Sequence, residues 1–238
     1  MNLNKYLSSS HCFMNYQKLG IVPYGSFIDA TLSNSGVQRT RLFKKYGMRC
    51  VISPQNFEEK YRHRLLGLCI QGFALDNGAY ICHTHNTDFP TEKFLYLCEK
   101  YGHAADWIAI PDILGKGKET LAKIPYWINE IKKRSPNAKL LLVWQDGMSL
   151  ADIEPYTKQG IGVFVGGTTE GKLLYSKHIA KLCRLNNVWC HIGRVNTHKR
   201  VKLCIDWKAK SFDGSGWSRF ICTLMHLEKI ITERKKNK

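Results

Sequence analysis

Near its C-terminus the chain reads Ser-Phe-Asp-Gly-Ser-Gly-Trp-Ser over residues 211–218. This stretch places Asp213 after a short apolar segment and inside a turn rich in glycine and serine. The patterned segment that follows, residues 217–231, predicts a helix. An acid at a strand-to-helix turn is presented to solvent by a rigid scaffold, and such turns often carry chemistry. The alternative is that Asp213 only caps the next helix, because aspartate is common at that position.

The same order of apolar strand, polar residue and turn recurs along the chain. Such segments occur at residues 72–78, 106–112, 139–147, 161–167 and 188–194. Further strands are expected at residues 48–53 and around 27–31, and residues 1–20 are interpreted as an N-terminal arm. Helices are expected at residues 57–68, 91–101, 119–134 (interrupted near Pro125), 149–159, 172–185 and 197–204.

Strands that alternate with helices favour parallel βαβ units. The expected strands number eight, and eight repeats in 238 residues approach the ~250 residues of a typical (β/α)8 barrel. We therefore expect residues 21–238 to form one (β/α)8 TIM-type barrel domain. An open doubly wound sheet is the alternative, because periodicity alone does not separate the two. In both folds, ligands bind at the carboxyl ends of the strands.

The composition indicates a polyanionic partner. The chain has 36 Lys and Arg against 19 Asp and Glu, a formal net charge of +17 that would repel itself in a compact protein. Nucleic acid is the first candidate partner and an anionic membrane surface the second. No apolar run approaches the ~20 residues that span a bilayer, and no signal peptide is recognisable. The nine cysteines form no Cys-x-x-Cys pair, which favours reduced thiols in the cytoplasm.

The predicted strand ends carry residues suited to glycosidic-bond chemistry. They are Asp76, Asp112, Gln145, Asp146, Gly166, Gly167, His191, Arg194 and Asp213. Two carboxylates in one cleft can attack an anomeric carbon and move a proton. A glutamine amide can read a base edge, and glycines allow the backbone to approach a flat ligand. With a basic surface, this set predicts action on a nucleoside bond of a nucleic acid whose base is flipped out. Individually, Asp112 could cap a helix and His191 could be a hydrogen-bonded core residue.

Five short motifs, in matching order over about residues 48–222, resemble the tRNA-guanine transglycosylase superfamily. The closer resemblance is to the DNA transglycosylases of phages and bacterial islands, which insert 7-deazaguanines into DNA. The motifs are Ala74-Leu-Asp-Asn-Gly-Ala-Tyr80, Ile110-Pro-Asp112, Trp144-Gln-Asp-Gly147, Val165-Gly-Gly167 and Ser211-Phe-Asp213.

The resemblance implies base exchange in DNA, with a free 7-deazaguanine as the second substrate. Asp213 would be the nucleophile that attacks C1′ of a deoxyguanosine and expels guanine. Asp76 would be the general acid and base. Asp112 and Gln145 would read the purine edge, and the amides of Gly166 and Gly167 would contact its carbonyl. Asn77 and Phe73 complete the expected substrate-binding set. A phage-encoded enzyme of this kind would work in the host cytoplasm.

One departure from the family concerns metal. tRNA-guanine transglycosylases carry a zinc site after the nucleophile, whereas only Cys222 and His226 follow Asp213 here. We therefore expect no structural zinc and no cofactor, and we expect DNA rather than tRNA as the substrate. The segment Cys82-His-Thr-His85 has no standard zinc spacing and is expected to be a solvated loop.

Phosphate contacts are expected first from Arg194, His198, Lys199 and Arg200, and second from Arg62 and Arg64. Three other functions stay open at this point. The first is a tRNA-guanine transglycosylase, the second is a hydrolytic nucleosidase or glycosidase on a similar barrel that acts as a nucleic-acid N-glycosidase, and the third is a non-catalytic nucleic-acid-binding protein. Target sequence and oligomeric state are left undetermined by these residues.

Overall fold

A computed structural model of the chain describes residues 19–26, 47–59, 72–219, 227, 229, 230, 232 and 233. The described strands are β1 Val22–Ser26, β2 Arg49–Ile52, β3 Phe73–Leu75, β4 Ile108–Ala109, β5 Leu140–Trp144, β6 Gly162–Val165, β7 Cys190–Ile192 and β8 Ser211–Asp213. The helices, numbered within the same residues, are α1 Ala79–His85, α2 Thr91–Tyr101, α3 Gly117–Arg134, α4 Leu150–Lys158, α5 Thr169–Leu185, α6 His198–Asp206 and α7 Ser215–Arg219.

The eight strands form a closed barrel in chain order, and every neighbouring pair is parallel. Closure occurs between β8 and β1, where Val22 pairs with Ser211 and Tyr24 with Asp213. The expected (β/α)8 barrel is therefore confirmed, and the open sheet is excluded because both of its edges would be unpaired. All strand C-termini lie at one end of the barrel, which brings residues far apart in sequence to one mouth.

Side-chain alternation sorts each strand between two cores. Residues such as Leu75, Val163 and Phe212 point outward into the shell between barrel and helices. The alternate residues point inward and fill the barrel, including Tyr24, Ala74, Trp107, Leu141 and Val143. Because side chains alternate with a period of two, the inward series continues to residues 76 and 145, just past their strand ends, and to Asp213, the last residue of β8. Below the mouth, the barrel interior is filled by the rings of Tyr24, Trp107, Phe164 and His191, which close the bottom of the site.

Several sequence expectations differ from the structure. Helix α3 continues through Pro125 without the expected interruption. Pro125 lies on the exposed side of the helix, where it removes one backbone hydrogen bond, to the carbonyl of Leu121, without ending the helix. The segment expected as a solvated loop at residues 82–85 is part of helix α1. The strand expected around residues 27–31, most of the 57–68 helix and residues 1–18 of the predicted arm lie outside the described residues. No helix in the described ranges is both long and apolar enough to cross a membrane.

Candidate active site

A cavity of about 360 Å³ opens at the carboxyl ends of the strands. This volume lies within the range of roughly 300–1,000 Å³ that is usual for small-molecule sites. Its wall combines carboxylates, amides and two aromatic rings. The lining residues that bear on function are Asp76, Asn77, Tyr80, Asp112, Gln145, Phe164, Gly166, Gly167, Arg194, Asn196 and Asp213. Seven of the eight predicted catalytic and substrate-binding residues are thus brought together.

Asp76 lies where β3 ends and is held firmly by the backbone. Its N–H donates to the Ile52 carbonyl at 2.7 Å, and its Oδ2 accepts the Gly78 N–H at 3.3 Å. Burial raises the pKa of Asp76 to about 7, and the negative charges of Asp213 and Asp112 add to this effect. The carboxyl is therefore ready both to give and to accept a proton near neutral pH. Gly78 has a φ of 77°, and a β-carbon there would overlap the Gln55 side chain.

Asp112 is gripped by two side-chain amides. Its Oδ1 accepts from Asn77 Nδ2 at 2.9 Å, and its Oδ2 accepts from Gln145 Nε2 at 2.6 Å. Gln145 is buried and its Oε1 accepts the Gly115 N–H at 3.1 Å, which fixes the amide orientation. Burial raises the pKa of Asp112 to about 6, while these two hydrogen bonds and the charge of Arg194 oppose the shift. The carboxylate is consequently oriented by its neighbours and faces the cavity.

Asn77 orients Asp112 in this structure. Its Nδ2 also donates to the Ile110 carbonyl at 2.9 Å, and its Oδ1 accepts the Ala79 N–H at 2.7 Å. Both ends of the buried amide therefore have protein partners, although the residue touches the cavity. Asn77 links the end of β3, the start of α1 and the end of β4.

Asp213 does not cap the helix that follows it. Its Oδ1 accepts the Arg194 N–H at 3.1 Å and lies 3.0 Å from His191 Nε2. The N-terminal turn of α7 is bonded instead by Asn196, whose Oδ1 accepts the Gly216 N–H at 3.0 Å. The capping interpretation of Asp213 is therefore wrong, and its carboxylate is left at the cavity wall. His191 is fully buried, as expected for a hydrogen-bonded core residue.

Arg194 turns into the mouth of the cavity. Its backbone has a φ of 56°, a left-handed conformation that is uncommon outside glycine. The guanidinium donates to the Gly167 carbonyl and lies over the Tyr80 ring, 4.8 Å from the ring centre. Arg194 thus joins the β7–α6 loop to the β6–α5 turn and to α1, and it lines the cavity. The phosphate contact expected from Arg194 stays a prediction.

The β6–α5 turn is shaped by Asp146. The carboxylate of Asp146 accepts the Thr168 N–H at 2.6 Å and the Thr168 hydroxyl at 2.9 Å. Beside it, Gly167 has a φ of 65°, and a β-carbon on Gly171 would overlap Asp146 Oδ1. The Gly166 N–H donates to the Trp144 carbonyl at 2.9 Å. The expectation that both glycine amides contact a base is therefore wrong for Gly166, whose amide extends the sheet.

Comparison with known proteins bears on the fold alone. No protein-family profile and no curated protein sequence matches the chain. Among solved structures, the chain resembles RipC from Yersinia pestis with a TM-score of 0.52 and 10% identity, over 90% of this chain and 96% of that one. Deoxyribose phosphate aldolase from Aeropyrum pernix gives a TM-score of 0.52 and 12% identity over 89% and 92% of the two chains. An HpcH/HpaI aldolase from Desulfitobacterium hafniense gives 0.50 and 12% over 100% and 98%. These similarities support the (β/α)8 barrel and carry no information on chemistry.

Phe73 was expected to bind substrate and does not line the cavity. It packs against the outer shell, because its side chain has the outward parity in β3. The ring in the cavity is Phe164, which has the inward parity in β6. Alternation within each strand explains both assignments, because Phe73 is adjacent to the inward Ala74 in β3 and Phe164 is adjacent to the outward Val163 in β6. Asn196 carried no comparable signal, since it follows β7 in an irregular loop.

Three of the other predicted phosphate contacts lie at the start of α6, namely His198, Lys199 and Arg200. Lys199 is exposed, while Arg200 is half-buried and donates to Thr169 Oγ1 at 3.3 Å. His198 lies 3.7 Å from Glu233, which also pairs with Lys202 at 2.5 Å. Arg62 and Arg64 lie outside the described residues. Lys199 and Arg200 therefore remain near the mouth, whereas His198 faces an acidic partner.

Cysteine and histidine lie close together in the sequence at residues 82–85 and again after Asp213. Cys82 is buried, and its Sγ accepts a hydrogen bond from Gln55 Nε2 at 3.1 Å, while His83 and His85 are exposed. Within the described residues, no group of three or more His, Cys, Asp or Glu side chains could hold a metal ion. Cys222 and His226 are outside the described ranges.

Proposed function

We propose that this protein is a base-exchanging transglycosylase, a pentosyltransferase that replaces guanine in DNA with a 7-deazaguanine. The observation that carries the proposal is the convergence of Asp76 and Asp213, from β3 and β8, on one cavity. The electrostatic effect of Asp213 on the pKa of Asp76 agrees with this proximity. The sequence motifs that resemble DNA transglycosylases fall on these same two residues.

The first step is displacement of guanine by Asp213. A carboxylate oxygen of Asp213 attacks C1′, the glycosidic bond breaks, and its electron pair leaves with the base. Asp76, which has a pKa of about 7, donates its proton to the departing guanine. The sugar is then held to Asp213 as an ester.

The second step reverses the first with a different base. The incoming 7-deazaguanine loses its ring N–H proton to the now ionised Asp76. Its nitrogen attacks C1′ and the ester bond to Asp213 breaks, which restores both carboxyl groups. Two displacements at C1′ retain the sugar configuration. The cycle consumes no cofactor.

Recognition of the base falls to Asp112 and Gln145. An ionised Asp112 can accept hydrogen bonds from the N1–H and amino group of a guanine-type edge. Gln145 uses one N–H on Asp112 and has a second that can meet the purine carbonyl. Tyr80 and Phe164 offer ring faces for stacking, and Gly167 lines the cavity at the β6–α5 turn. The formal charge of +17 suits a DNA backbone, for which Lys199 and Arg200 are the proposed contacts near the mouth.

The deciding experiment is mass spectrometry of nucleosides from DNA incubated with the protein and candidate 7-deazaguanines. We expect a 7-deaza-2′-deoxyguanosine in the DNA and an equal amount of released guanine, with neither product from Asp213→Asn. Abasic sites without an added base would indicate a hydrolase instead. DNA binding without any released guanine, unchanged in Asp213→Asn, would indicate a non-catalytic binding protein.

A further inference from the structure

Four side chains, three on the adjacent strands β7 and β8 and one just before β7, form a continuous chain of hydrogen bonds behind the cavity. The Trp189 indole Nε1 donates to Ser211 Oγ at 2.7 Å. Ser211 Oγ lies 2.8 Å from His191 Nδ1, and His191 Nε2 lies 3.0 Å from Asp213 Oδ1. Ser211 and His191 are fully buried, so the chain runs through the barrel interior to the cavity wall.

The donor and acceptor properties of these groups determine the direction in which each hydrogen bond is donated. An indole N–H can only donate, so Ser211 Oγ accepts from Trp189 and has its own hydrogen to give. An ionised carboxylate can only accept, so His191 Nε2 must carry a hydrogen toward Asp213. A neutral imidazole then has an unprotonated Nδ1, which accepts from the Ser211 hydroxyl. Every link has one donor and one acceptor when His191 is the neutral Nε2–H tautomer.

The surroundings of His191 favour the neutral form. Burial lowers the pKa of the imidazole and the positive charge of Lys172 adds to this, whereas Asp213 opposes the shift. Lys172 is itself buried, and its Nζ donates to the Gly193 carbonyl at 2.9 Å. The rings of Tyr24, Trp107 and Phe164 surround the imidazole, with centroids 4.6–5.6 Å away. The Tyr24 hydroxyl is engaged by Asp106, to which it donates at 2.8 Å. The packed rings also prevent the imidazole from turning over.

We propose that His191 is a positioning residue for Asp213 and fixes which carboxylate oxygen attacks the sugar; this rests on the nucleophilic role proposed for Asp213. The His191 and Arg194 N–H groups both point at Oδ1. A carboxylate bound through one oxygen cannot rotate freely, so Oδ2 is presented to the cavity as the attacking atom. Neutral donors hold the anion without the strong ion pair that would weaken it as a nucleophile. They also stabilise the charge that returns to Oδ1 when the ester breaks.

The first test needs no substrate. In protein labelled with ¹⁵N-histidine, two-bond ¹H–¹⁵N correlation spectra distinguish the two tautomers and the imidazolium of His191. At neutral pH we expect the Nε2–H tautomer alone in wild-type protein. In Ser211→Ala we expect the same tautomer to predominate, with a larger fraction of the other tautomer. An Nδ1–H tautomer, or an imidazolium at pH 7, would overturn the proposal whatever reaction the protein catalyses.

The second test compares His191→Gln with His191→Leu. A glutamine amide can still donate an N–H toward Asp213, whereas leucine cannot. We expect kcat for base exchange to fall about 100-fold in His191→Leu and to recover to within about tenfold in His191→Gln, with KM for the free base unchanged in both. His178→Leu, at an exposed histidine of α5, is the control and should retain full activity.

Near-ultraviolet circular dichroism of each variant separates loss of positioning from loss of fold. Equal kcat losses in the folded Gln and Leu variants would contradict a positioning role, as would an unchanged kcat in His191→Leu. If wild-type protein exchanges no base, the proposed function is wrong. The tautomer measurement then still tests whether His191 donates its Nε2–H to Asp213.

Discussion

The guanidinium of Arg194 stacks on the ring of Tyr80 across the mouth of the cavity, with its central carbon 4.8 Å from the ring centre. The two residues come from opposite sides of the barrel, since Tyr80 follows β3 and Arg194 follows β7. The contact is a cation–π pair, and the same guanidinium also donates to the Gly167 carbonyl. The mouth is thereby narrowed by a planar, charged group beside the proposed position of the sugar.

Replacing Arg194 with lysine should lower base exchange by about tenfold. Lysine keeps the charge but loses the planar stack and the directed bond to Gly167. Steady-state kcat/KM for DNA is the measurement. Tyr80→Phe keeps the ring face and serves as the matched variant, with near-normal activity expected. If Tyr80→Phe were as impaired as Tyr80→Ala, the hydroxyl and not the stack would be the important group.

Asp76→Asn should abolish exchange and make the protein more stable at alkaline pH. The pKa of Asp76 is raised from 3.8 to about 7 in the folded protein, so the native state binds this proton more tightly than the unfolded chain. Its contribution to the free energy of unfolding is therefore fully present below pH 3.8 and is lost as pH rises toward 7 and above. The variant should exceed wild type by up to about 4 kcal/mol at pH 8.

Urea unfolding at several pH values checks this difference, which should stay nearly constant between pH 8 and 7 and shrink as pH falls from 7 to 4. Asp88→Asn, which removes an exposed carboxylate, is the control. A constant difference between Asp76→Asn and wild type across that range would show that Asp76 does not titrate as proposed.

The affinity for the free base should weaken in acid because Asp112 must be ionised to accept its N–H groups. Burial raises the pKa of Asp112 to about 6, so the accepting form is lost as pH falls through that value. We expect KM for the 7-deazaguanine to rise about tenfold from pH 7 to pH 5. Asp112→Asn should bind weakly at both pH values. A wild-type KM that stays flat from pH 7 to pH 5 would remove Asp112 from base recognition.

Gly171→Ala should disturb the β6–α5 turn from outside the cavity. Its β-carbon would overlap Asp146 Oδ1, which would displace the carboxylate from Thr168. We expect a stability loss of about 1–3 kcal/mol, measured by thermal or urea unfolding. Glu170→Ala changes the neighbouring exposed residue and should have little effect. If Gly171→Ala were as stable as wild type, Asp146 would not hold the turn.

Removal of Lys199 and Arg200 should weaken DNA binding at all sequences alike. Each phosphate group that is no longer neutralised should reduce the slope of log K against log salt by about 0.9. Fluorescence anisotropy over a salt series measures this slope. Lys181→Ala removes an exposed charge near the C-terminal end of α5, away from the mouth of the cavity, and should leave the slope unchanged. If the double variant left the slope unchanged, the DNA phosphates would have to contact other residues of the protein.

Periodicity predicted much of this molecule, because the barrel follows from alternating apolar strands and helices. Asp76, Asp112, Gln145 and Asp213 could be identified because strand ends converge in any parallel barrel. The contacts between side chains on opposite sides of the mouth could not be predicted from periodicity. The left-handed backbone of Arg194 redirects its side chain, and no sequence rule indicates that conformation at an arginine.

Helix α1 was missed for a different reason. It has seven residues, and of its side chains only Ala79 and Cys82 are buried, so it shows little apolar periodicity. The roles of Asn77 and His191 depend on partners 35 and 22 residues away in the chain, which no local pattern reports.

The pairing of β8 with β1 has a consequence for when activity can arise. Asp213 lies on the last strand of the barrel and is in register with Tyr24 of the first. Without that pairing, Asp213 lies on an edge strand of an open sheet and Asp76 follows the third strand from the other edge, so the two carboxylates share no pocket. Under the proposed function, a chain that lacks this pairing would still bind DNA through its positive charge but would break no glycosidic bond, so catalysis depends on closure of the barrel.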